Sequence, residues 1–311
     1  MQLPSEIKTA AEETAAGFAH GDIAKAAESI SARYRQERAD GFRIVTKAAE
    51  AAAYAVTRMP ATFAAVSSAL EHTLQCCGAD ISSAADIGAR TGAGAIAVRE
   101  LLDGVTTMHC YEREPEMRAL GRKLAENAEW FELDMISGEL PRSYDLIMLC
   151  YALNELSAAD RDKVTSRLWE HTGKLLLIVE PGTPAGHAGI MRARELLIQS
   201  GAVIAAPCPT CAPCRLDTDD WCHFTARAAR SKLHKQLKGG DAPYEDEKFS
   251  YIAAVRGDCT PCERRILRHP QISPGFIDMR VCTADGISDI KVTKKSADFK
   301  KARKSDCGDS I

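Results

Sequence analysis

Nine residues, Asp86-Ile87-Gly88-Ala89-Arg90-Thr91-Gly92-Ala93-Gly94, constrain this chain most: three glycines crowd the junction between a short apolar strand, Ala84–Ile87, and a helical pattern from Ile96 to Leu102. Any strand-to-helix turn favours glycine, so the run alone says little. The residues that follow give it weight. Thr106–Tyr111 reads as the next strand and closes on Glu112, one helix and one crossover beyond the glycines, where an acidic side chain is placed to take a ribose diol. Further strands are read at Tyr144–Cys150 and Lys174–Val179, with helices at 114–128, 157–169 and 186–200. Apolar runs alternating with helices predict a parallel α/β sheet.

The loop has the form Asp-x-Gly-x-x-x-Gly and not the dinucleotide pattern, and its leading acid resembles the first motif of class I methyltransferases. That resemblance implies an S-adenosylmethionine pocket built from Asp86, Gly88, Arg90, Gly92 and Glu112. Arg90 stands where the motif usually has glycine; it either pairs with the cofactor's carboxylate or narrows the pocket by its bulk. After Tyr144–Cys150 comes Tyr151-Ala152-Leu153-Asn154-Glu155-Leu156, where many methyltransferases place the groups that meet the acceptor atom. Asn154 and Glu155 either orient a substrate there or cap the helix that starts near Ser157. The Asn-Pro-Pro-Tyr signature of amino-group transfer is absent, as is a cysteine nucleophile paired with proline for ring-carbon transfer.

At 311 residues and 45% apolar content the chain suits one large domain with appendages, or two modest ones. Ahead of the sheet, apolar positions recur at helical spacing through Ile7, Ala11 and Ala15, then Ile23, Ala26, Ile30 and Tyr34, and Ala-rich helices continue to about residue 77. Pro60 marks a boundary, since it suits the first turn of a helix and not its interior. The chain begins Met1-Gln2-Leu3-Pro4 without a charged n-region or an apolar h-region, and no stretch approaches a membrane span, so a soluble cytoplasmic protein is expected. In a reducing compartment clustered cysteines point to metal more than to disulfides, with Cys76, Cys77, Cys110 and Cys150 read as buried packing.

The cysteines cluster in Pro207-Cys208-Pro209-Thr210-Cys211-Ala212-Pro213-Cys214, followed by Trp221-Cys222-His223-Phe224. Converging thiolates hold a soft metal or an iron–sulfur cluster, and proline lowers the entropy of a loop that must present several together. Ser200–Ala205 reads as a strand entering this loop and Phe249–Val255 as the strand returning, with Phe224–Leu237 as a basic helix between them. Three ligand sets are open. Cys208-x-x-Cys211 with Cys259-x-x-Cys262 would make a zinc ribbon, although the 47 residues between exceed a ribbon's usual ~15–20. Cys208, Cys211, Cys214 and Cys222 would make a ferredoxin-like set lacking its Cys-Pro. Cys208, Cys214, Cys222 and a remote Cys282 would make the third. The radical S-adenosylmethionine spacing, Cys-x-x-x-Cys-x-x-Cys, is absent.

Several runs carry a broader likeness: Val179-Glu180-Pro181-Gly182-Thr183-Pro184-Ala185-Gly186, Ala206-Pro207-Cys208-Pro209, Asp220-Trp221-Cys222-His223-Phe224, Arg230-Ser231-Lys232-Leu233-His234 and Glu245-Asp246-Glu247-Lys248-Phe249-Ser250-Tyr251. With Arg58-Met59-Pro60-Ala61-Thr62 and Leu153-Asn154-Glu155-Leu156, they resemble the small-ribosomal-subunit methyltransferase-like family, whose mitochondrial members are assembly factors of the small subunit. The resemblance implies a class I methyltransferase fold, a four-iron four-sulfur cluster held by four cysteines, and association with small-subunit ribosomal RNA. Matched motif to motif, it places the cluster on Cys208, Cys214, Cys222 and Cys282. Cys211 stands where relatives have another residue, and Cys259 and Cys262 lie outside the family pattern.

Charge is uneven: residues 1–225 hold 22 Lys+Arg against 31 Asp+Glu, and 226–311 hold 18 against 12. The basic part is where a polyanion would bind. Short alternating stretches at Phe276–Val281 and Ile287–Val292 predict a small β module. Lys291, Lys294, Lys295, Lys300, Lys301, Arg303 and Lys304, with Arg227, Arg230, Lys232 and Lys235, would form its phosphate-binding face. The expected architecture is a helical cap (1–78), a methyltransferase-like core (79–206), a cysteine loop and basic helix in the final hairpin (207–248), a returning core strand (249–256) and a basic β module (257–311). Three functions follow: an S-adenosylmethionine-dependent RNA methyltransferase with a metal centre, a non-catalytic RNA-binding assembly factor on the same fold, or, if the metal is not iron, a zinc-stabilised nucleic-acid-binding module.

Overall fold

The structure, a computed structural model, describes residues 1–35, 45–78, 80–217 and 219–311. Four helices come first: α1 (Ser5–Ala16), α2 (His20–Arg35), α3 (Ala48–Thr57) and α4 (Met59–Leu74). Pro60 falls in the first turn of α4, where its missing N–H leaves no carbonyl unpaired. The α/β part then runs β1 (Ser83–Ile87), α5 (Ala93–Leu101), β2 (Thr107–Tyr111), α6 (Pro115–Leu124), β3 (Glu129–Phe131) and β4 (Tyr144–Cys150). A short 3₁₀ turn at Leu153–Glu155 leads to α7 (Ala158–Glu170), β5 (Thr172–Pro181), α8 (Pro184–Gln199) and β6 (Val203–Ala206). After the cysteine loop come β7 (Phe224–Ala229), α9 (Lys232–Lys238) and β8 (Tyr244–Val255). A small C-terminal unit holds β9 (Arg264–Ile266), β10 (Gln271–Ser273), β11 (Phe276–Thr283), β12 (Gly286–Thr293) and α10 (Phe299–Ala302).

The main sheet has the order β3-β2-β1-β4-β5-β8-β6, parallel throughout except for β8, which runs antiparallel to both its neighbours. This is the doubly wound arrangement of a class I methyltransferase, with its reversed strand slipped in beside the edge. Leu146–Cys150 and Leu175–Val179 are buried without alternation, as expected of central strands covered on both faces. One core packs α1–α6 against one face; a second packs Val164, Leu168 and Trp169 of α7 and Ile190, Ala193 and Leu197 of α8 against the other. In the C-terminal antiparallel sheet, Ile266, Ile277, Met279 and Val281 form a separate small core. No helix among the described residues is long and apolar enough to cross a membrane.

The expected basic helix over Phe224–Leu237 requires correction. Phe224, Ala226 and Ala228 are buried and alternate with more exposed neighbours, and the segment pairs with β8 from Phe224↔Phe249 to Ala229↔Tyr244. Helix begins only at Lys232, after Ser231 accepts the His234 N–H as its cap.

β8 is therefore shared along one edge. Val203–Ala206 of β6 pair with its end, Ala253–Val255, and β7 pairs with Tyr244–Phe249, so neither strand pairs with Ser250, Tyr251 or Ile252. The cysteine loop, residues 207–223, lies between β6 and β7 in sequence and covers that break.

Candidate functional site

At the carboxyl ends of β1 and β2, Gly88, Arg90 and Gly92 take φ of 69°, 55° and 91°. Gly92 is obligatory on a second ground, because a Cβ there would lie 2.7 Å from Ala125 Cβ. Arg90 occupies the left-handed region without a glycine's freedom, which costs about 1–2 kcal/mol. Its surroundings hold it there. Its N–H donates to Glu112 Oε2 at 2.9 Å, and its guanidinium, 8% exposed, pairs with Glu155 and lies 3.9 Å from Glu114.

Glu112 is turned into the same loop: its other oxygen, Oε1, accepts the Glu114 N–H at 2.8 Å, and the residue is 2% exposed. Asp86 is equally buried and faces the first turn of α5, where the Gly94 and Ala95 N–H groups reach it. Burial, then the charge of Glu112, pushes the Asp86 carboxyl up to about 7. The five residues expected to hold a cofactor are thus brought together. Two of them bind the loop's own backbone, and Arg90 spends its charge on protein carboxylates. Glu112 and Arg90, the two groups expected to take the ribose and the carboxylate of S-adenosylmethionine, are here engaged with the loop backbone and with protein carboxylates.

Asn154 and Glu155 sit in the 3₁₀ turn after β4. Neither caps α7, whose cap is Ser157, accepting the Asp160 N–H at 3.2 Å. Their position is set by Glu180 at the end of β5, which accepts the N–H groups of Ala152, Leu153 and Asn154 at 3.1, 2.9 and 3.1 Å. Burial pushes Glu180 up to about 8 against the pull of those donors. Glu180 is legible in the sequence only as part of a motif; a buried acid holding a turn has no periodic signature.

A second, larger feature lies at the break along β8. Cys208, Cys214 and Cys222 of the loop and Cys282 of β11 line one pocket, walled by Ile190 and Met191 of α8, Leu216, Ile252 and Leu267. Several contacts set the loop around it. Arg194 Nη2 donates to the Thr210 and Ala212 carbonyls at 2.9 and 2.7 Å, Trp221 Nε1 to Gly182 O at 2.9 Å, and Ser250 Oγ to Cys222 O at 2.7 Å. Arg215 Nη1 donates to Asp285 O at 2.8 Å, joining the loop to the β11–β12 turn.

The thiols sense one another. Burial raises Cys222 well above the usual thiol range, and the charges of Cys208, Cys282 and Cys214 add to it. Burial, then Cys208 and Cys214, pushes Cys282 up to about 12. Such thiols stay protonated until a cation displaces the protons. Among the described residues no three His, Cys, Asp or Glu side chains gather at the spacing of a metal ion. Cys211 is exposed and lies outside it, its Sγ accepting the Ile204 N–H at 3.4 Å.

Sequence reading missed Arg265, the largest fully buried side chain. It donates to Pro207 O at 3.2 Å, Gly308 O at 2.6 Å and Cys76 Sγ at 3.6 Å. Against the burial that raises Cys208 and Cys282, its charge pulls both back down. Strand pairing carried the available signal, because Arg265 stands opposite Cys282 and opposed residues share a face. In the expected phosphate face, Lys294, Lys295, Lys300, Lys301, Arg303 and Lys304 are exposed. Arg227 is instead paired with Asp246 at 2.7 Å, and Lys291 with Asp278 at 3.6 Å.

The family profile described as "Mitochondrial small ribosomal subunit Rsm22" matches residues 48–311. The human protein "Ribosome assembly protein METTL17, mitochondrial" is 28% identical over 223 residues, 65% of this chain and 48% of that protein, so the chain spans about half the length of this curated relative. Solved structures with some likeness include the N-methyltransferase NodS of Bradyrhizobium japonicum (9% identity, 62% of this chain and 86% of that one, TM-score 0.42). Magnesium protoporphyrin IX methyltransferase of Synechocystis is another (12% identity, 72% and 93%, TM-score 0.41). The fold assignment rests on the strand order, not on these overlaps.

Proposed function

The chain belongs to the Rsm22 family, and from that premise we propose that it binds small-subunit ribosomal RNA as a factor of ribosome assembly or translation in the cytoplasm. Its shape is held by a four-iron four-sulfur cluster on Cys208, Cys214, Cys222 and Cys282, and it transfers no methyl group. One observation carries this reading: three pocket thiols come from the loop beside the core and the fourth from the C-terminal sheet. A group bound by all four joins those two parts. When bound, the cluster supplies metal–thiolate bonds that tie the four pocket sulfurs together. The chain's own residues shape the loop, and the C-terminal unit exposes Lys294, Lys295, Lys300 and Lys301. Cations of this kind recognise phosphate and A-form shape without reading bases.

The test is RNA binding by a Cys222→Ser variant. The proposal expects weakened binding of a small-subunit RNA fragment with the helical content of the core retained; undiminished affinity would sink it. A second reading, an S-adenosylmethionine-dependent RNA methyltransferase, draws on one observation: Asp86 Oδ1 is buried without a hydrogen-bond partner among the described residues, as an acid awaiting a ligand would be. Calorimetry separates the two, since the non-catalytic reading predicts no heat with S-adenosylmethionine.

A further inference from the structure

A second gathering of sulfur lies on the other side of Arg265. We propose that Cys76, Cys211, Cys259 and Cys262 form a separate tetrathiolate site for a zinc ion. The four come from three segments: the turn after α4, the cysteine loop after β6, and the Cys259-Thr260-Pro261-Cys262 connection between β8 and β9.

Main-chain contacts hold these segments together. The Thr260 N–H donates to Cys76 O at 3.0 Å, which fastens the Cys-x-x-Cys loop onto the α4 turn. Ile204 of β6 is flanked by two of the sulfurs: its N–H donates to Cys211 Sγ at 3.4 Å, and its carbonyl lies 4.0 Å from Cys259 Sγ. The Cys76 and Cys262 thiols share a hydrogen bond, and Cys259 is acted on by both Cys76 and Cys211. Cys259 therefore links the two halves of the group.

Packing alone accounts poorly for this arrangement. A buried cysteine behaves as a small apolar side chain and needs no sulfur neighbours, yet Cys211 is exposed and Cys259 and Cys262 are only partly covered. Cys-x-x-Cys with two further thiolates is the donor set of structural zinc. The sulfurs are engaged with the main chain and one another, and among the described residues no three stand at ion spacing. Loading exchanges those hydrogen bonds for four zinc–sulfur bonds and releases the four thiol protons to solvent. The resulting tetrathiolate carries two negative charges, and Arg265, with Nη2 at 3.6 Å from Cys76 Sγ, is the buried cation placed to offset them. Exposed Cys211 gives the ion its way in.

The test titrates the reduced full-length chain, freed of zinc with its iron–sulfur cluster retained, with cobalt and follows the visible band of a tetrahedral cobalt thiolate. One equivalent is expected to saturate the band. It should be lost in Cys259→Ser and kept in Cys282→Ser and in Cys77→Ser, whose native thiol instead donates to Thr73 O at 3.3 Å. A band that is absent, that survives Cys259→Ser, or that disappears with Cys282→Ser overturns the proposal. A readout on the unsubstituted chain guards against a variant that does not fold. One equivalent of zinc should slow alkylation of Cys211 by more than about tenfold, as thiolate ligation does, and an unchanged rate contradicts the site.

Discussion

Arg265 on β9 stands directly opposite Cys282 on β11, and its guanidinium passes between the two groups of thiols to reach Cys76 Sγ at 3.6 Å. A buried cation whose hydrogen bonds go to two carbonyls and a sulfur depends on the neighbouring thiols for compensation. Replacing it with methionine strips Pro207 O, Gly308 O and Cys76 Sγ of their donor. The expected loss is about 3 kcal/mol or more in urea denaturation. Arg265→Lys, which keeps the charge but not the fork, should fall between.

Arg90 tests the closed cofactor loop. Arg90→Gly removes left-handed strain worth about 1–2 kcal/mol but also removes the buried guanidinium that pairs with Glu155 and lies 3.9 Å from Glu114. The second effect is larger, so thermal denaturation should show a lower melting temperature. A stabilised variant would mean that the ion pairs contribute less than the backbone strain.

Two buried acids set the pH dependence. Asp86 is raised from 3.8 to about 7 and Glu180 from 4.5 to about 8, burial being the first cause of each. Over those windows the folded chain keeps protons that the unfolded chain has released, so unfolding releases protons and rising pH favours it. These groups therefore contribute stability that declines from the ordinary carboxyl range up to about pH 8. Melting curves across that range should show a falling contribution that Asp86→Asn and Glu180→Gln each flatten.

The basic face is not uniform. Lys300 and Lys301 are exposed on α10, whereas the Arg227 charge is offset by Asp246. Replacing both lysines with alanine should reduce the slope of log affinity against log salt for RNA by about one for each phosphate no longer neutralised. Arg227→Ala should leave the slope nearly unchanged. Equal effects from both variants would show that RNA approaches across β7 as well.

The core is legible in the sequence where burial is continuous: Tyr144–Cys150 is the strand that its unbroken apolar run predicts. Phe224–Ala229 reads as helix because Arg227 and Arg230 mimic helical spacing, while the alternation of Phe224, Ala226 and Ala228 is that of a strand. The three-residue strands β3, β9 and β10 are too short to establish a period. Spacing could not choose among the thiol sets either, since Cys282 lies on β11 of the C-terminal sheet and meets Cys222 only at the pocket of the folded chain. A buried arginine such as Arg265 looks like any other cation until its neighbours are known.

Central to the proposed function is one iron–sulfur group, which Cys208, Cys214, Cys222 and Cys282, lining one pocket between core and C-terminal sheet, would hold. Iron and acid-labile sulfide counted per chain, on protein purified without oxygen, test it most directly. The expected result is about four of each, lost in Cys282→Ser and kept in Cys211→Ser. A native chain without sulfide, or a Cys282→Ser variant that keeps its iron, would contradict it.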